Sequence, residues 1–306
     1  MNHGSLWERL VRGVRWSWID ERYRSALPAD FDATVMTLES RDRLHAKQGR
    51  STARVVFHPP DQNQSGGRPL SVYLKRHFQL PWLARFSALV HPKGRYSPGA
   101  AEWAHLERAR ALGVPVPDVV AIGERIGPWA GLQSYLVVAE LTGCKELNEA
   151  LPVIEQSMDR EAFESLKRRI VKEMARISAT IHKARMFHKD LYLCHFFLDL
   201  ERQARDPRDV ALTLIDLHRL QEHRYWPDRW RWKDLGQLLF STEGVAGVSP
   251  RDALRFWVHY KREAGVRNPE WQARMIRLKA ARYSDHNAAS EAGAAERLSE
   301  SVGSAD

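Results

Sequence analysis

Two carboxylates sit where they can do chemistry. His188-Lys189-Asp190-Leu191-Tyr192-Leu193-Cys194-His195 runs into the apolar stretch Phe196-Phe197-Leu198, so Asp190 lies in a turn whose downstream end is anchored in a core. Further on, Leu212-Thr213-Leu214-Ile215-Asp216 is a β-type run that delivers Asp216 at its end. A fixed carboxylate in a turn can accept or orient a hydroxyl proton, and a strand-end carboxylate can bind Mg²⁺. These are two tasks of phosphoryl transfer, which needs positioning and charge neutralisation more than covalent machinery. Lys189, next to Asp190, can neutralise a transferred phosphate. Taken singly, either Asp is also a plain turn or cap residue; the pair in this order and spacing favours the chemical reading.

The elements that must hold these residues fall into two sets. Residues 1–143 read mostly as strands. Arg43–Phe57 is strand, polar turn and strand, with Gly49 at the turn and Lys47, Arg50, Ser51 and Thr52 around it, a place where backbone amides and hydroxyls can hold phosphate oxygens. Ser71–His77 alternates apolar and polar residues and carries Lys75, with Arg76 as a rival cation. A helix is expected from Ser97-Pro98-Gly99, strands at Val119–Gly123 and Gln133–Leu141, and a further strand at Thr34–Leu38. Trp7–Ile19 mixes Trp, aliphatic residues and Arg, and reads either as an element docked on the first lobe or as a helix lying on an anionic membrane. Residues 144–285 are expected to be mainly helical: Phe163, Leu166, Ile170, Met174, Ile177 and Ile181 repeat at three-and-four spacing up to the His188 turn. Trp230–Phe240, Asp252–Ala264 and Trp271–Tyr283 follow as helices. Asp234 in the first of them either braces the His188 turn or faces solvent. Residues 286–306 are Ala, Ser, Glu and Gly with few apolar anchors and are expected to be disordered.

At 306 residues the chain is long enough for two lobes, and its net charge of +9 calls for an acidic partner such as a nucleotide, a phosphorylated glycan or an anionic lipid. The two cysteines, Cys144 and Cys194, and the lack of a secretory signal fit a reducing cytoplasm. No apolar run approaches the roughly 20 residues of a membrane-spanning helix.

The string HKDLYLCHFFL followed by LIDLHR resembles the lipopolysaccharide kinase family, whose members phosphorylate heptose or Kdo sugars of the lipopolysaccharide inner core. The likeness runs from about Arg43 to about Phe240, and D-L-Y-x-x-H is its most specific part, because ordinary protein kinases carry Asn where this chain has His195. The resemblance implies an α+β, bilobal, protein-kinase-like fold with a β-rich N-lobe and a mainly helical C-lobe. It implies ATP and Mg²⁺ as cofactors, with Lys75 on the α- and β-phosphates and Glu102, the Glu before Trp103, paired to it; Glu107 is the fallback. Glu140 and Leu141 would meet the adenine through their main chain, Asp216 would bind the metal, and Asp190 would orient the acceptor. His195 is a metal ligand beside Asp216, a hydrogen-bonding contact to phosphate, or a brace for the loop. The acceptor implied is a lipid-linked or phosphorylated sugar at the cytoplasmic face of the inner membrane, with peripheral membrane contact and no nucleic acid.

Other chemistries fit less well. His182, His188, Cys194 and His195 match no usual zinc spacing, and Cys194, flanked by Leu193 and His195, resembles packing rather than a nucleophile. No Ala-Pro-Glu motif follows Asp216, which disfavours a peptide acceptor. Arg219, His223, Arg224, Tyr225, Trp226, Arg229, Trp230 and Arg231 suit an anionic sugar by stacking and charge, and equally suit surface packing. An aminoglycoside- or choline-type small-molecule kinase and a nucleotide-binding pseudokinase scaffold remain as competing readings.

Overall fold

The structure is a computed structural model that describes residues 5–38, 43–47, 49–58, 69–90, 97–129, 131–206 and 208–303. It divides between Thr142 and Gly143 into two units, one residue from the boundary expected at 143.

In the first unit, α1 (Leu6–Val11) is closed by a Ser5/Glu8 capping box and gives way to β1 (Val14–Ile19) at Gly13. Gly13 has φ +75°, and a Cβ there would stand 2.8 Å from the Gly127 carbonyl, so only glycine allows the turn. The Trp7–Ile19 stretch is therefore a short helix and then a strand. Trp16 and Trp18 pack on Trp103, with ring centroids 6.0 and 6.2 Å away, which docks the strand part on its own unit. After β1 comes α2 (Phe31–Thr34), where a strand was expected at 34–38. Phe31 and Val35, four residues apart, are both buried in the core, and this helical spacing overrides the β-preference of Thr-Val-Met-Thr. Next are β2 (Arg43–Lys47), β3 (Arg50–Phe57), β4 (Leu70–His77), α3 (Trp82–Val90), α4 (Pro98–Ala111), β5 (Val119–Ile126) and β6 (Leu132–Ala139). The strands form one antiparallel sheet in the order β1-β5-β6-β4-β3-β2, with α4 packed on it. Ser97 caps α4 through its hydroxyl, which accepts from the Ala100 amide.

The second unit contains β7 (Cys144–Glu146), α5 (Leu147–Ser157), α6 (Arg160–Lys183), β8 (Met186–Phe187), β9 (Phe196–Asp199), α7 (Leu200–Arg205), β10 (Leu212–Leu214), β11 (Gln221–Glu222), α8 (Pro227–Phe240), α9 (Pro250–Glu263) and α10 (Pro269–Gly303). The periodic apolar residues of α6 are all buried, and α9 packs along this helix. Small sheets in the orders β10-β9-β7 and β11-β8 flank the segment 188–195. The expected disordered tail is corrected over residues 286–303, which continue α10: a run rich in Ala and Glu has high helix propensity even without apolar anchors. The α+β class with a strand-rich first unit and a helical second unit is as expected.

Helix α10 lies close against α8 because α8 has Gly236 at the crossing. A Cβ there would come within 2.7 Å of the Lys279 Cβ. Gly236→Ala is expected to lower stability by about 1–3 kcal/mol through overpacking, despite alanine's better helix propensity. Chemical denaturation of the variant checks this; an unchanged or raised midpoint contradicts it.

Candidate active site

In the first unit, Lys75 and Glu102 meet as β4 faces α4: Nζ lies 2.6 Å from Oε1, with Glu102 buried and Lys75 partly so. Strand alternation sends the rival Arg76 to the opposite face, where it is buried and donates to the carbonyls of Val35, Met36 and Leu38 at 3.3, 3.4 and 2.6 Å. Glu107 pairs instead with Arg110 on the exposed side of α4. The register also corrects the expectation for Ser51. It sits opposite Arg76, on the face away from Lys75, and its buried hydroxyl has no hydrogen-bond partner among the described residues; Thr52 is the residue opposite Lys75. Gly49 makes the hairpin turn at φ +74°, and its carbonyl accepts from the Phe78 amide at 2.8 Å. Lys47 and the rest of β2 have only their backbone described. At the end of β6 the Glu140 amide donates to the Ser71 carbonyl (2.9 Å), so it is committed to the sheet and not open to a nucleobase. Its carboxylate forms a two-pronged pair with Arg54, both contacts 2.7 Å, which holds it well below the usual carboxylate range.

The second unit brings the other residues together. Asp234 on α8 is fully buried and accepts the His188 amide at Oδ2 (2.7 Å) and the Lys189 amide at Oδ1 (2.8 Å). Of the two readings of this residue, the brace is the one observed. The turn puts Lys189 at φ +70°, a left-handed conformation unfavourable for a side chain with a Cβ. Asp190 follows. Its oxygens face Arg219 Nη1 at 3.0 and 2.7 Å, so Arg219 belongs to this carboxylate as well as to the downstream aromatic and basic set. Lys189 Nζ turns to Gln221 and lies 4.5 Å over the Trp230 ring, which itself stacks on His223 at 4.1 Å. Burial, then the neighbouring Lys233 and Arg219, push the Lys189 ammonium below its ordinary pKa.

His195 Nδ1 is 2.7 Å from the Asp190 carbonyl, which can only accept, so this nitrogen carries the proton. In the neutral tautomer this leaves a lone pair on Nε2, which lies 3.8 Å from Asp216 Oδ2. Asp216 is left-handed (φ +63°), and its other oxygen contacts His218 Nδ1 at 2.6 Å. The arrangement combines two of the readings of His195: it braces the turn with one nitrogen and faces Asp216 with the other. Two electron-rich groups pointed at one another fit a cation between them. The set of one carboxylate and one imidazole suits a divalent ion that draws its remaining ligands from phosphate and water, as Mg²⁺ does, with the nitrogen better suited to softer ions.

Three contributors have little or no sequence signal. His182, at the end of α6, contacts Asp234 Oδ2 through Nε2 (3.2 Å) and the Tyr260 hydroxyl through Nδ1 (2.7 Å). Ionised Asp234 needs a donor, so Nε2 bears the proton and Tyr260 donates to Nδ1. Lys233 donates to the Lys189 carbonyl at 2.6 Å. Only the spacing of His182 from His188 in the helical run hints at its place; nothing near Tyr260 does. Cys144 and Cys194 are half-buried thiols pushed up by burial, Cys144 to about 11, and are poor nucleophiles.

Burial lowers the pKa of both His182 and His188, so the native state holds them neutral. The unfolded chain takes up their protons as pH falls below its ordinary histidine value of 6.5, while the native state does not. Stability is expected to be level above that pH and to fall below it, by at most about 1.4 kcal/mol per pH unit for each histidine. Denaturant midpoints measured between neutral and mildly acid pH check the slope, and His188→Asn should flatten it.

The Lipopolysaccharide kinase (Kdo/WaaP) family model matches residues 87–260. The lipopolysaccharide core heptose(I) kinase WaaP of Pseudomonas aeruginosa is 34% identical over 222 residues, covering 72% of this chain and 80% of the relative. The enzyme of the same description from Escherichia coli is 31% identical over 159 residues, covering 52% of this chain and 58% of the relative. A solved structure described as WaaP in complex with acyl carrier protein superposes with a TM-score of 0.62 at 27% identity, covering 87% of this chain and 98% of that one. With its kinase-like fold and a match over more than half its length, the chain belongs to the lipopolysaccharide kinase (Kdo/WaaP) family.

Proposed function

We propose that this protein transfers the γ-phosphoryl group of ATP to a sugar hydroxyl of the lipopolysaccharide inner core, a heptose in preference to Kdo. The observation that carries the reading is the His188–Asp190 turn, clamped by two amide bonds to buried Asp234 and followed by Asp216 facing His195. The relatives' heptose(I) kinase activity supports the choice of sugar. Asp190 orients the acceptor hydroxyl and takes up its proton as the oxygen attacks phosphorus. Lys75, steadied by Glu102, holds the α- and β-phosphates, while the Gly49 turn and Thr52 line the phosphate side. Leu141 is left to meet the base through its backbone. Asp216, with His195, holds the divalent ion, whose charge would neutralise the phosphates. Lys189, Lys233 and Arg219 surround Asp190 with cations suited to an anionic acceptor, and Trp230 offers a ring on which a sugar can stack. The acceptor is lipid-linked, which puts the enzyme in the cytoplasm and peripheral to the inner membrane. No helix among the described residues is long and apolar enough to cross a membrane.

Mass spectrometry of core oligosaccharide incubated with ATP and Mg²⁺, with and without the protein, is expected to show one added phosphate on heptose. Phosphorylation of lipid-free aminoglycosides or choline instead would favour a small-molecule kinase, and no transfer at all a scaffold. Asp190→Asn should retain ATP binding and slow transfer by about 10²–10⁴-fold; unchanged turnover removes Asp190 from the mechanism. In Asp216→Ala, the thermal stabilisation by Mg²⁺-ATP over ATP alone should vanish together with turnover. Normal Mg²⁺-dependent stabilisation in that variant contradicts its assignment.

A further inference from the structure

We infer that the surface formed by α1, α3 and the Gly127–Trp129 turn docks on an anionic lipid membrane. This deepens the reading of a lipid-linked acceptor and rests on it for its purpose, though not for its test. The inner face of α3 is accounted for: Ala84 and Ala88 pack on Leu80, Ile126 and Leu132. The outer face is apolar and bare, with Trp82 70%, Leu83 61% and Phe86 57% exposed. On α1, Trp7 is 71% exposed, and Trp129 in the adjoining turn is 74% exposed. The three pieces are tied together by hydrogen bonds onto backbone carbonyls. Arg9 Nε donates to the Leu89 carbonyl, and the Trp129 amide to the Leu10 carbonyl, both at 2.9 Å. Close approach of the turn to α1 is built in, since a Cβ on Gly127 would stand 1.7 Å from the Arg9 carbonyl oxygen.

Scattered apolar residues on a surface need no explanation, but three bare tryptophans and a bare helix face on linked elements do. Tryptophan is the residue that favours the boundary between lipid and water. These side chains protrude rather than line a groove, which suits insertion among lipids better than reception of a partner helix. Charge completes the match. A cavity of about 420 Å³ next to α3 is lined by Arg85, Arg125, Phe78, Gln79 and Gln133, with no acidic residue among its lining residues. Two guanidiniums in a slot beside exposed aromatics suit a lipid phosphate. Helix α3 carries no acid, and Glu8 on α1 is engaged with Ser5 in its cap. An acidic protein would answer the arginines, but it is not what the protruding tryptophans call for.

The test uses the full chain without ATP or acceptor, in sedimentation with vesicles of phosphatidylcholine alone or mixed with phosphatidylglycerol. The wild type is expected to pellet with the anionic vesicles, and its tryptophan emission to shift to the blue. Trp82→Ser with Phe86→Ser should weaken binding at least about tenfold, and Arg85→Gln with Arg125→Gln should erase the preference for phosphatidylglycerol. Thermal unfolding of the variants should match the wild type, since all four side chains are partly or largely exposed, and turnover on lipid-free core oligosaccharide should not change. Wild-type indifference to vesicles, or variants that bind as well as the wild type, overturns the proposal. Vesicle binding is read with no phosphoryl transfer, so its failure leaves the sugar-kinase reading standing, and failure of transfer leaves the docking result standing.

Discussion

A carboxylate without solvent must be satisfied by donors, and Asp234 is satisfied by the very backbone it holds in place. Its two oxygens take the amides of His188 and Lys189, and the remaining capacity at Oδ2 goes to His182. Hydrogen bonds to an ionised acceptor are worth about 1.5–3 kcal/mol each, enough to offset the cost of the left-handed Lys189 backbone, which is of order 1–3 kcal/mol. The direction of Asp190 therefore depends on a charge buried in a different helix. That charge in turn depends on the tautomer of His182, which Tyr260 on α9 selects by donating to Nδ1. Three helices, α6, α8 and α9, thus meet in the placing of one turn.

The downstream end of the same segment is governed by a comparable constraint. The Asp190 carbonyl takes the proton of His195 Nδ1, and the His195 carbonyl accepts the Ile215 amide at 3.0 Å, so the two candidate carboxylates are coupled through one residue. His188 adds a second tie, its Nε2 lying 3.0 Å from the Ile215 carbonyl. Asparagine at 195 would offer an oxygen to a metal but has neither the reach nor the two opposed nitrogens needed to join Asp190 to Asp216. The departure from the protein-kinase pattern is then a different way of fixing the distance between the two carboxylates.

Much of this was legible from residue order. The periodic apolar positions of α6, the alternation through Lys75 and the strand before Asp216 are local patterns, and each is realised where the spacing predicts it. What residue order does not carry is either tertiary or a matter of which face a residue occupies. The Thr34–Leu38 segment has strand-like composition, yet Phe31 and Val35 reach the core only from a helical turn. Ser51 and Thr52 are equivalent as letters, and only the register with β4 shows that Thr52 shares the face of Lys75. Tyr260 lies 26 residues beyond Asp234 on a helix with its own amphipathic pattern, so its hydroxyl carries no signal until α9 packs on α6. The continued helix of residues 286–303 reflects propensity winning where apolar anchors are few.

The cations around Asp190 obey a different rule from the carboxylates. Arg219 is 53% exposed, and an ion pair with so much solvent contact is worth no more than about 1 kcal/mol. Moving its guanidinium from Asp190 to a phosphate exchanges one such pair for another and costs little. The bonds to Asp234 have no solvent to replace them, and breaking one leaves a buried amide unpaired at about 1–3 kcal/mol. Lys189 lies between these limits: its backbone is clamped while its ammonium, destabilised by burial and by Lys233 and Arg219, gains from any anion that approaches. The turn is consequently rigid where it presents Asp190 and adjustable where its side-chain cations meet other charges.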